Sequence, residues 1–115
     1  MIVGKLAEKI KRSSAVLRSQ HVGRAMLGLQ RFTASSPEVR SLLRQLVQRL
    51  ESSDRLKLTA GAISDALFGL QGLSSDVPEV QELVGALAKK IAVTAAELNS
   101  EQLGRALFGL QGAYF

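Results

Sequence analysis

The chain has 115 residues, 46% hydrophobic and 22% charged, which is enough for one folded domain with a modest core. It has no cysteine, which excludes disulfides, thiolate nucleophiles and cysteine-bound metals, and no apolar run nears the roughly 18 residues of a membrane-spanning helix. The net charge of +5 is unevenly spread: residues 1–57 hold 12 Lys and Arg against 4 Asp and Glu, whereas residues 58–115 hold 3 against 6. A basic half beside a mildly acidic one suits a polyanionic partner at the basic end, or a head-to-tail contact between chains.

The stretch from Met1 to Ser19 is basic, serine-containing and poor in acids, as a transit peptide would be. Its apolar phase points elsewhere. Val3, Leu6 and Ile10 align with Leu43, Leu46 and Leu50 and with Val84, Leu87 and Ile91, which predicts the last turns of a helix. A targeting segment is the alternative reading. Ser19 is the expected cap of a helix from about Gln20 to Arg31. Ser35 with Glu38 has capping-box spacing ahead of a helix from Pro37 to about Leu50, whose Val39, Leu42, Leu43, Leu46, Val47 and Leu50 form one apolar stripe.

The second half repeats this plan. A helix starting at Thr59 ends near Gly72, a glycine suited to a left-handed C-cap. Asp76 with Glu79 is the next capping pair, ahead of a helix from about Val77 to Ala92 with Val80, Leu83, Val84, Leu87 and Ile91 inward. Asn99 or Ser100 caps a last helix reaching Gly112.

The period is explicit in the letters. Ala66-Leu67-Phe68-Gly69-Leu70-Gln71-Gly72 recurs identically at 106–112, and Ala25-Met26-Leu27-Gly28-Leu29-Gln30-Arg31 is a diverged copy, at separations of 40 and 41 residues. Helices of two kinds alternate, A (starting near 20, 59 and 100) and B (ending near 12, 50 and 92). The expected fold is all-α, an α-α superhelix (solenoid) of antiparallel hairpins with a repeat of about 40 residues. It forms a single domain, 1–115, divided into a partial repeat (1–18), two repeats (19–58 and 59–98) and a partial repeat (99–115). With neither end carrying a polar capping repeat, the chain reads as a slice of a longer array or as a piece that completes itself by association.

On a helical wheel Ile63, Ala66, Leu67 and Leu70 face the core, and Gly69 and Ala62 fall on a flank where small residues let helix axes approach. A helical glycine costs about 1 kcal/mol relative to alanine, so its return at 28, 69 and 109 needs a packing benefit. A variable stripe lies opposite the core: Gln20, Arg24, Leu27 and Arg31 in the first copy, Gly61, Asp65, Phe68 and Gly72 in the second, Glu101, Arg105, Phe108 and Gly112 in the third. With neighbouring helices about 10 Å apart, Arg24, Asp65 and Arg105 are placed to form a ladder, either a surface ion-pair column or a reader of bases and phosphates. Phe68 and Phe108 beside it either pack between A helices or stack on unpaired bases. The cations late in the B helices are what the helix dipole alone favours.

Catalysis is not expected. His21 is the only histidine, on a first turn and expected to be exposed, and no nucleophile-base pair, carboxylate pair or metal-ligand spacing occurs. Gly69-Leu70-Gln71-Gly72 lacks the lysine and hydroxyl residue of a phosphate loop. No cofactor is implied.

A period of about 40 and the missing Trp/Tyr pattern separate the chain from tetratricopeptide repeats. The run Leu58-Thr59-Ala60-x-x-Ile63-x-x-Ala66-Leu67-Phe68-Gly69-Leu70, followed by Pro78-Glu79-Val80 and Leu83-x-x-x-Leu87, resembles octotricopeptide and heptatricopeptide repeats, although Gly69 stands where those repeats commonly have a larger residue. The resemblance implies a right-handed α-solenoid of an organellar RNA-binding protein, with positions 20, 24, 61, 65, 101 and 105 facing RNA. The expected function is therefore a non-catalytic module binding single-stranded RNA along the A-helix face, through Gln20, Arg24, Arg31, Asp65, Phe68, Glu101, Arg105 and Phe108. The alternatives are a protein-binding scaffold of armadillo or HEAT type, and a fragment that self-associates through its uncapped ends.

Overall fold

The computed structural model describes residues 2–13, 17–30, 32, 36–74 and 76–114. These form six α-helices and no strand: α1 Ile2–Arg12, α2 Ser19–Gly28, α3 Pro37–Ser52, α4 Ala60–Phe68, α5 Pro78–Ala92 and α6 Ser100–Tyr114, with a 3₁₀ turn over Gly69–Gly72. The all-helical class is as the periodicity predicts. The helices sort into two layers, because α2, α4 and α6 pack side by side and so do α1, α3 and α5. We call the first three the A helices and the others the B helices.

The core is built from the inward stripes of both layers. Met26, Leu43, Ile63, Leu70, Val80, Leu83 and Leu87 are all essentially solvent-free. The connections add to it: Leu56 and Leu58, between α3 and α4, are buried, and Thr94 Oγ1 donates to the Leu58 carbonyl at 2.8 Å.

Contact within the A layer is backbone against backbone. A methyl group on Gly69 would overlap the carbonyl of Met26, and one on Gly109 would overlap the carbonyl of Leu67. Ala62 also lies against Gly23, but less tightly, its Cα 3.4 Å from the point where a Gly23 Cβ would stand. The helices meet in register: Thr59 N–H donates to Ser19 Oγ at 2.8 Å, Ser64 Oγ donates to the Gln102 carbonyl at 3.2 Å, and Gln71 Nε2 lies 3.4 Å from Gln30 Oε1.

The B layer is joined through cations. Arg44 Nη1 meets Glu79 Oε2 at 2.7 Å across α3 and α5. Arg49 Nη2 donates to the Ile10 carbonyl at 2.7 Å, and Lys90 Nζ to the Ser53 carbonyl at 2.6 Å. In both cases a cation late in one B helix donates to a carbonyl at the end of the preceding one, as a second donor beside a local backbone N–H, that of Ser13 on Ile10 and that of Leu56 on Ser53.

Several helix ends differ from expectation. Thr59, expected as the first residue of its helix, instead caps α4 by accepting from Ala62 N–H, and Asn99 and Gln102 form a reciprocal capping box at α6, with both bonds 2.9 Å. Ser19, however, is the first residue of α2 rather than its cap, and its hydroxyl is used to hold α4. Arg18 occupies the cap position, and its N–H donates to Nδ1 of the exposed His21. Ser36 caps α3 by accepting from Val39 N–H, while Ser35 lies outside the described residues. Asp76 caps nothing. Val77 holds that position, and Glu79 is drawn away to Arg44. Gly72 is not a left-handed cap either, since no described residue has positive φ. Glycine is required there by space, because a Cβ would stand 2.7 Å from the Phe32 carbonyl oxygen.

These contacts separate three glycines that look equivalent in sequence. Gly69→Ala and Gly109→Ala each force two backbones apart and should destabilise by about 1–3 kcal/mol. Gly28, the matching residue of α2, has nothing within 4 Å of a Cβ. Gly28→Ala should be neutral or stabilising, by up to about 1 kcal/mol. Urea unfolding of the three variants checks the opposite signs.

Candidate nucleic-acid interface

Short connections between the layers make the A helices run one way and the B helices the other. One rim of the molecule therefore collects the C-terminal ends of the B helices and the N-terminal ends of the A helices. Lys9, Lys11 and Arg12 end α1, Arg49 lies in the last turn of α3, and Lys89 and Lys90 end α5. Arg18 precedes α2, and Arg55 and Lys57 occupy the α3–α4 connection. The opposite rim carries Glu38, Asp76 and Glu79.

At the centre of the basic rim is an open cleft of about 720 Å³, lined by Leu17, Arg18, Ser19, Arg49, Ser52, Ser53, Asp54, Arg55, Leu56 and Lys57. Four cations face one carboxylate. Arg18, Arg55 and Lys57 are exposed, while Arg49 is half-buried and committed in part to the Ile10 carbonyl. Three serines also line it, but Ser52 and Ser53 donate their hydroxyls to the Arg49 carbonyl and Ser19 Oγ accepts from Thr59 N–H. Cations around an open cleft suit phosphate oxygens, which take charge-assisted bonds from Arg and Lys.

The stripe expected to bind RNA is only partly assembled. Arg105 Nη2 donates to Asp65 Oδ1 at 2.9 Å, which makes one rung of the expected ladder. Arg24 does not form the other. Asp65 turns its second oxygen over Gly23, 3.5 Å from where a Cβ would stand, and Arg24 is left exposed one residue on. The Arg105 guanidinium also lies over Phe68, 4.5 Å from the ring centroid, and Phe68 stacks on Phe108 with centroids 5.8 Å apart at 25°. Phe68 is thus engaged by two groups of α6. Phe108 is half exposed, Gln20 and Glu101 are exposed, and Arg31 lies outside the described residues. Asp65, Phe68, Arg105 and Phe108 come together as packing between α4 and α6, and Gln20 and Arg24 stand apart from them, near the basic rim.

The cleft has no short sequence motif, because its residues come from 17–19 and 49–57. Among the described residues no group of acidic or histidine side chains is arranged to hold a metal, and no helix is long and apolar enough to cross a membrane.

The Asp65–Arg105 pair has side chains 34% and 39% exposed, so solvent screens it. Asp65→Asn should cost no more than about 1 kcal/mol, with the cost shrinking as salt is added. Phe68→Ala removes a ring held by both Arg105 and Phe108 and should cost more, about 2 kcal/mol. Urea midpoints at low and high salt check the order of the two effects and the salt response of the first.

No protein-family model matches this chain, and neither a curated protein nor a solved structure is significantly similar to it.

Proposed function

We propose that the chain is an α-α solenoid with a repeat of about 40 residues, and that it acts as a non-catalytic module binding single-stranded RNA along its basic rim. The observation that carries this reading is the gathering of Arg18, Arg49, Arg55 and Lys57 around one open cleft, continued along the same rim by the cations that end α1 and α5. Every B helix carries at least one cation in its last turn, so stacking the helices lays positive charge beside the chain path, as a flexible polyanion requires. Arg24 and Gln20, exposed on the first turns of α2, extend the polar surface onto the A helices, and this reading gives them the base contacts.

The resemblance to organellar RNA-binding repeats supports RNA as the ligand but draws attention to the outer stripe of the A helices. The geometry favours the rim, because Asp65, Phe68 and Arg105 are engaged with one another. Arg24 belongs to both surfaces.

Titration of labelled single-stranded RNA at about 50 and about 200 mM salt tests the proposal. Three phosphates neutralised on a single strand predict affinity falling roughly 20-fold over that range. Joint replacement of Arg18, Arg55 and Lys57 by Glu should abolish binding while leaving helicity unchanged, since none of the three holds the fold together. Arg24→Glu should weaken it less. Absence of binding at low salt would remove the RNA reading and leave the protein scaffold in its place.

A further inference from the structure

We infer that the surface formed by α1 and α2 docks onto α6 of a second copy, so that the chain associates head to tail. The inference rests on the solenoid reading but not on RNA. The exposed apolar residues are not scattered. Leu107 on α6 is 66% exposed, yet its counterpart on α2, Met26, is 1% exposed. Ile2 on α1 is 82% exposed, yet its counterpart on α5, Leu83, is 0% exposed. Leu103 and Leu6 repeat the pattern against the buried Ile63 and Leu87. Each exposed side chain has a counterpart buried on another helix, although the inner counterparts Leu46 and Leu67 are only partly buried.

The two surfaces fit one another in register. The chain runs B, A, B, A, B, A, so α1 of a second copy is the B helix that would follow α6. Ile2 and Leu6 then face Leu103 and Leu107, as Leu83 and Leu87 join Ile63 in the core of one chain. The next A helix is α2 of that copy. Gly69 sits on the Met26 carbonyl and Gly109 on the Leu67 carbonyl, so Gly28 of the second copy sits on the Leu107 carbonyl. That assigns a use to a glycine with nothing within 4 Å in its own chain.

The B layer supplies an independent contact. Arg49 and Lys90 each donate back to the end of the preceding B helix, and Lys9 holds the same position on α1. Lys9 is exposed and has no such acceptor among the described residues. In the docked pair it reaches the end of α5 beside Val93, a residue 68% exposed. Over its whole length the docking half, residues 1–57, is basic and the receiving half, residues 58–115, mildly acidic, with Lys89 and Lys90 the cations nearest Lys9. The register also sets Arg24 beside Arg105, whose charge Asp65 already balances.

Such a contact is heterologous: each pair keeps one free face at either end, so it propagates into filaments or closes into rings. The occupant is a second copy because the surfaces match in position as well as in polarity.

Sedimentation equilibrium of the 115-residue chain over a concentration series, without nucleic acid and in salt high enough to suppress RNA binding, tests the inference. The expected result is a weight-average mass rising from 12.3 kDa toward its multiples. Gly28→Leu should remain monomeric with unchanged helicity, as should Leu107→Glu, which alters a side chain already exposed. Gly61→Leu, at an exposed glycine outside the contact, should associate like the parent chain. A mass of 12.3 kDa at every concentration, or association of Gly28→Leu equal to that of the parent, would overturn the inference. RNA binding is read separately, so neither result decides the other.

Discussion

Much of this structure depends on one contact: the bare α-carbon of a glycine in or just after one A helix pressed against a carbonyl of the A helix before it. Gly69 on Met26 and Gly109 on Leu67 bring backbones closer than any side chain would allow, and the contact also fixes sliding, because a shift by one residue puts a side chain against the carbonyl. Register follows. With α2, α4 and α6 held level, Ser19 reaches Thr59, Gln30 faces Gln71, Asp65 meets Arg105, and Phe68 lies flat on Phe108. None of these polar pairs is strong, since exposed ion pairs and hydrogen bonds contribute about 1 kcal/mol or less each. They are consequences of the packing rather than its cause.

The B helices meet by other means. Their ends are joined by long cations that cap the preceding helix, which places Arg49 and Lys90 where the helix dipole also favours positive charge. A device that serves stability therefore lines one rim with cations. The same rim receives Arg18, Arg55 and Lys57 from the connections, where no packing demand accounts for their charge. That contrast directs the functional reading to the cleft and away from the outer stripe, whose aromatic and ionic groups are already satisfied.

Much of the fold was legible in the sequence because it is written in local periodicity. The core face of α4, the cap at Asn99 and the packing use of Gly69 all follow from spacing and residue type. The departures arose where a nearby helix competed for the same group. Ser19 looks like a cap but is taken by Thr59, and Glu79 looks like half of a capping box but is taken by Arg44. Gly72 suggested a left-handed turn, yet its constraint is the Phe32 carbonyl. The Arg24–Asp65–Arg105 ladder kept only one rung, because Gly23 leaves room for the Asp65 carboxylate to lie across it without reaching Arg24. The cleft was hidden for a different reason: residues 17–19 and 49–57 become neighbours only when the two layers stack.

The glycine contacts are the claim on which the rest stands, and nuclear Overhauser spectroscopy reads them directly. Seating Gly69 on Met26 and Gly109 on Leu67 predicts cross-peaks from the Gly69 α-protons to backbone protons of Met26 and Leu27, and from the Gly109 α-protons to those of Leu67 and Phe68. If those cross-peaks are absent and the two glycines instead exchange magnetisation with water, the A helices do not meet as described and the account fails.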